Sequence, residues 1–100
     1  FLAAAASPEG KDFAKRFKET AGRDVDWMSA NAYDCMGILA HVIAKTGPDR
    51  EKIRDGLAAI DSEEKGYKGV TGLTYFDEKG DCFKPAFIKK VENGEFVSAE

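Results

Sequence analysis

Between Trp27 and about Lys45 the apolar residues return every three or four positions, at Met28, Ala32, Cys35, Leu39 and Ile43. Met36 and Val42 widen the line. That spacing is the period of an α-helix with one apolar stripe. A helix in water draws most of its stability from packing that stripe against something else. Whatever this chain folds into must therefore be built against this segment. Asp34, His41 and Lys45 fall off the stripe and are expected to face solvent.

The flanking segments supply two shorter helices. Ser7-Pro8-Glu9 is a helix start: Ser7 can cap, Pro8 suits the first helical position, and Glu9 favours the positive end of the dipole. Phe13 and Phe17 share a face, and Gly22 stops the helix, which places it at about 8–21. Arg23 to Asp26 is a polar connection. Gly47-Pro48 breaks the chain, Asp49 can cap again, and Ile53, Leu57 and Ile60 line a third helix at about 50–60.

After the polar stretch Asp61 to Gly66 the pattern changes. Val70, Leu73, Tyr75 and Phe76 are strand formers. Asp77 to Gly80 is a turn, Phe83 to Val91 reads as one longer strand, and Asn93-Gly94 is a hairpin signal that returns Phe96 and Val97. The expected order is three helices followed by a small antiparallel β section.

Composition narrows the function. The 100 residues suffice for one modest core, with 43% hydrophobic and 33% charged residues. The net charge of -3 and the lack of a basic stripe argue against nucleic acid. No apolar run approaches the roughly 20 residues of a membrane span. The chain opens at Phe1, and Ala3 to Ala6 is too short for a signal peptide and lacks a basic region before it, so a piece of something longer is expected. Cys35 and Cys82 could pair, but read rather as two small buried side chains. With one histidine there is no zinc set, and no cofactor or metal is expected.

Candidate chemistry is sparse. His41 and Asp34 lie seven residues apart and suggest general base work, but no nucleophile is placed beside them, and a solvated histidine is the simpler reading. Asp77, Glu78 and Asp81 lack the alternation of a calcium loop and read as a solvated turn. Gly69-Val-Thr-Gly72 is neither a Walker loop nor a dinucleotide fingerprint, and its glycines read as a tight turn or a close backbone approach. Trp27 and Met28 sit at a helix start with its free N–H groups, where an aromatic wall can hold a small ligand. By composition alone the two read as core residues.

The order of phrases says more. Asn31-Ala-Tyr-Asp34 is followed by an apolar helix ending in Ile43-Ala-Lys45, then by Asp49-Arg-Glu-Lys-Ile-Arg-Asp-Gly-Leu57. Tyr67-Lys-Gly-Val-Thr-Gly72, Phe76-Asp-Glu-Lys-Gly-Asp81, Lys84-Pro85 and Ile88-Lys-Lys-Val91 with its Asn-Gly turn complete the series. This resembles the C-terminal part of the periplasmic substrate-binding proteins of branched-chain amino acid ABC transporters, the type I or leucine/isoleucine/valine-binding-like family. The likeness runs from about Phe13 to Val97.

The resemblance implies an α/β parent fold of two lobes joined by crossing strands, which closes on a ligand by a hinge. It implies a periplasmic or extracytoplasmic protein that passes an amino-acid-like ligand to an ABC permease without altering it, and so no enzyme. Residues 1 to about 75 would be first-lobe helices and a return segment, with Phe1-Leu2 as the tail of a crossing strand, and about 82–100 a second-lobe hairpin. The family often places an aromatic residue in the cleft five positions before the tyrosine of the Ala-Tyr-Asp phrase. That position is Met28 here, with Trp27 as a neighbouring substitute, so ligand contact and core packing stand level for these two. A helix stripe of this width without its sheet would self-associate, and a dimer is expected of the chain alone. Two other readings compete: a ligand-sensing domain of the same fold in a signalling or regulatory protein, and a small hydrolase using His41 and Asp34.

Overall fold

A computed structural model describes residues 7–84 and 86–99. The expectations for Phe1-Leu2, for Ala3 to Ala6 and for Pro85 lie outside the described residues.

Three helices come first: α1 (Pro8–Ala21), α2 (Trp27–Thr46) and α3 (Arg50–Ala58). Each begins where a short side chain caps its first turn. The Gly10 N–H donates to Ser7 Oγ at 2.9 Å, the Ser29 N–H to Asp26 Oδ1 at 2.7 Å, and the Lys52 N–H to Asp49 Oδ1 at 2.9 Å. Such caps satisfy donors that a helix start cannot satisfy within itself. Gly22 and Gly47 close α1 and α2, each N–H reaching back to a carbonyl four residues earlier.

Five short strands follow: β1 (Tyr67–Gly69), β2 (Gly72–Phe76), β3 (Cys82–Phe83), β4 (Lys89–Glu92) and β5 (Glu95–Ser98). The first three make an antiparallel sheet in the order β1-β2-β3, and the last two a separate hairpin. Val70 and Thr71 form the tight turn between β1 and β2, where Gly69 pairs with Gly72. Asn93 and Gly94 turn the second hairpin with φ of 51° and 78°, as a type I′ turn needs.

The single strand expected over Phe83 to Val91 is two strands in different sheets. Cys82 and Phe83 pair with β2, while Lys89 to Glu92 pair with β5. Apolar residues continue through the break, which makes the sequence look unbroken. Pro85 brings no N–H to a ladder, and the Asn-Gly turn sets a register of its own.

The core has two parts, one after the other along a single face of α2. Phe13, Ala30 and Val70 form one, with Phe17 and Val25 against it. Ile38, Val42 and Ile60 form the other, covered by Ile53, Leu57, Tyr67, Tyr75 and Phe76. The buried line of α2 is thus Ala30, Asp34, Ile38 and Val42. This corrects the stripe read from the sequence. Met28, Ala32, Cys35, Met36 and Ile43 are exposed, and Leu39 is half-buried. The two lines lie about 130° apart around the helix at its 3.6 residues per turn. α2 is apolar on both, and this chain covers one. Cys35 and Cys82 are free, as expected, but exposed rather than buried.

Candidate functional site

Trp27 and Met28 occupy the first two positions of α2, where helix geometry leaves N–H groups without an intrahelical acceptor. Both side chains are largely exposed, at 65% and 58%. Core packing is therefore not what they do among the described residues. Asp26 is the cap that holds the helix start in place. Its second oxygen accepts from Arg23 at 3.2 Å, and the Arg23 guanidinium also lies 5.1 Å from the centre of the Phe17 ring. The Ser29 N–H bond, aided by the Ser29 hydroxyl and more weakly by Arg23, holds the Asp26 carboxyl below the usual range. An ionised carboxylate at this helix start makes it a poor anion site. What the corner offers is two large apolar side chains on a rigid helix end, a wall suited to an aliphatic group.

Asp34 is the side chain that the sequence misplaces. It was expected in solvent, yet it is 3% exposed. Its oxygens accept from the Val70 N–H and the Thr71 N–H, each at 2.8 Å, and from the Thr71 hydroxyl. A buried carboxylate needs such donors, and the turn after β1 aims two backbone N–H groups at it. The fit leaves no room for a side chain at Gly69, where a Cβ would overlap the Asp34 carboxylate. The close backbone approach expected of Gly69-Val-Thr-Gly72 is therefore present, and Asp34 is what approaches. The Thr71 hydroxyl in turn accepts from Lys84 Nζ.

This arrangement removes the acid from the suggested His41–Asp34 pair. His41 is exposed and lies edge-on to Tyr67, with ring centres 5.8 Å apart. Burial, with the Asp34 and Tyr33 charges adding less, pushes the Tyr67 hydroxyl above its ordinary value. The Asp77 carboxylate accepts from the Lys79 and Asp81 N–H groups at 2.9 and 2.8 Å, which makes the Asp77–Asp81 stretch a self-capped turn. No cluster of three potential metal ligands occurs among the described residues. No described helix is long and apolar enough to cross a membrane.

Surface grooves lie away from the Trp27 corner. One of about 480 Å³ runs along His41, Lys45, Ile60 and Lys65, and one of about 590 Å³ along Arg54, Leu57, Phe76 and Lys79. Trp27 and Met28 line neither.

Sequence reasoning singled out Trp27 and Met28 but missed the Asp26 cap and the Asp34 clamp. An aspartate immediately before Trp27 is a capping signal that could have been read. Nothing near Asp34 announces partners 36 and 37 residues away.

No protein-family model and no curated protein matches the chain. Solved structures do. The leucine-binding protein LivK of Thermotoga maritima superposes with a TM-score of 0.79 at 29% identity, over 100% of this chain and 28% of its own. A protein assigned as a branched-chain amino acid ABC transporter from Rhodospirillum rubrum gives 0.77 at 33% identity, over 98% of this chain and 28% of its own. The chain thus spans little more than a quarter of either neighbour. Both bear names of the family that the order of phrases resembles. The likeness covers three helices and small antiparallel sheets, one piece of that α/β fold.

Proposed function

We propose that this chain, whose fold is that of one piece of a type I, leucine/isoleucine/valine-binding-like periplasmic protein, belongs to an extracytoplasmic solute receptor. The receptor binds an amino-acid-like ligand in the cleft between two lobes and presents it to an ABC permease, with no chemical step. The observation that carries this reading is the likeness along the whole chain to a leucine-binding protein. Residues up to about 75 belong to the first lobe and about 82–100 to the second. Trp27 and Met28 form part of the cleft wall. Their exposure, on a helix start capped by a carboxylate, supports contact with an aliphatic side chain rather than with the ligand's own carboxylate.

The exposed line of α2 faces what the rest of the first lobe would supply. Left alone in solution, the chain buries that line in a dimer. Among the described residues ten large apolar side chains are exposed, and association has that surface to draw on.

The test is titration calorimetry of the full-length protein with the standard amino acids, beginning with leucine, isoleucine and valine. Binding of at least one, weakened about tenfold or more in Trp27→Ala or Met28→Ala, is expected; tenfold corresponds to about 1.4 kcal/mol. Absence of binding to any amino acid overturns the receptor reading. Binding that both variants leave unchanged overturns the wall assignment alone.

A further inference from the structure

The chain carries two asparagines, Asn31 and Asn93, and no glutamine. Their side-chain amides meet opposite surroundings. Asn31 lies inside α2, where its Nδ2 donates to the Trp27 carbonyl at 2.8 Å. The next nitrogen belongs to Ala32, whose N–H is held by a carbonyl four residues back in the helix and whose methyl group crowds it. Asn93 stands exposed at the tip of the β4–β5 hairpin, and Gly94 follows it. Asn93 is the one non-glycine residue with positive φ among those described. In a two-residue turn the closing bonds belong to the flanking pair, here Glu92 and Glu95. The Gly94 N–H has no acceptor among the described residues. Apart from its chain neighbours, no heavy atom lies within 4 Å of where a Gly94 Cβ would stand, so solvent reaches this peptide unit.

We propose that Asn93 is a site of spontaneous deamidation, with the Gly94 nitrogen as the nucleophile. That nitrogen gives its proton to a base in the solvent and attacks Asn93 Cγ. The Cγ–Nδ2 bond breaks, the leaving nitrogen takes up a proton, and ammonia departs from a cyclic imide. Water then reopens the ring at either carbonyl. Opening at Cγ leaves aspartate, and opening at the backbone carbonyl leaves isoaspartate. The sum is amide and water to acid and ammonia, with no oxidation. Ring closure swings the Asn93–Gly94 peptide unit and needs only the end of the hairpin to open, which is cheap at the exposed tip of a two-stranded pairing. Either product adds a negative charge between Glu92 and Glu95. Isoaspartate also lengthens the turn by one backbone atom, which a two-residue turn cannot absorb without disturbing the register of β4 and β5. The chemistry is the same whether or not the chain belongs to a receptor.

The experiment ages the full-length protein in mildly alkaline buffer at physiological temperature. Peptide mass maps read amide loss and isoaspartate at Asn31 and Asn93 over time. Loss at Asn93 should run about tenfold or more faster than at Asn31. Urea, which unfolds α2, should speed the loss at Asn31 and narrow the gap. Asn93→Gly keeps a residue suited to positive φ and should abolish the mass gain in that peptide. Amide-exchange protection across β4–β5 should fall in step with the isoaspartate formed. A free peptide of residues 89–98 gives the rate without the fold. The proposal is overturned if Asn93 stays intact in the folded protein while that peptide reacts, if Asn31 reacts as fast as Asn93, or if aspartate forms without isoaspartate.

Discussion

Replacing Asp34 by alanine removes an acceptor that three donors share. The Val70 N–H is buried and loses its partner outright, while the Thr71 N–H is part-buried and gains partial access to water. The Thr71 hydroxyl can turn toward solvent. A hydrogen bond to a charged group is worth about 1.5–3 kcal/mol, and an orphaned buried donor costs about 1–3 kcal/mol. Taking about 2 kcal/mol for Val70, about 1 kcal/mol for Thr71 and nothing for the hydroxyl gives a loss of about 3 kcal/mol. That is a large share of the stability of a small domain. Urea unfolding followed by circular dichroism should show the midpoint falling by about 1–3 M at unchanged slope. Amide exchange at Val70 and Thr71 should accelerate before exchange elsewhere. Asp24→Ala is the control, because it breaks only the exposed 2.9 Å ion pair with Lys18 and should leave the midpoint where it was. The reasoning is refuted if Asp34→Ala costs no more than Asp24→Ala.

Gly69→Ala should destabilise by about 1–3 kcal/mol, because its methyl group meets the Asp34 carboxylate. That penalty should shrink in an Asp34→Ala background, and a double-mutant cycle that found simple additivity would argue against the contact. The Asp26 cap contributes a pH dependence of known sign. Its folded pKa lies below the unfolded value, so its stabilisation is present above about pH 4 and is lost as the pH falls through the lowered value. Asp26→Asn keeps an acceptor and should flatten that part of the acid-unfolding curve; an unaltered curve would exclude the cap as its source. If the chain alone dimerises through the exposed line of α2, Met36→Lys should move it toward monomer in sedimentation. Lys15→Glu on α1, also exposed, should not.

Local chemistry accounts for what could be read in advance. Ser7, Asp49, Gly22 and the Asn93-Gly94 turn act on groups within four residues of themselves, so the bounds of α1 and the second hairpin were legible from neighbouring residues alone. The break at 84–88 was not, because which strand pairs with which depends on partners that the apolar pattern does not name. Trp27 and Met28 were legible as large apolar side chains at a helix start, and their exposure was not.

The sequence by itself determined three helices, their caps and the turn to β structure, because hydrogen bonds within one turn of chain decide those features. Tertiary structure alone decided which of the two apolar lines of α2 is covered. The periodicity is satisfied by either, and only the positions of Phe13, Val70, Ile60 and Tyr67 select Ala30, Ile38 and Val42 over Met28, Met36 and Ile43. It also decided the fate of Asp34. A carboxylate on an apolar helix belongs in water until two backbone N–H groups, carried in by a turn far along the chain, replace that water.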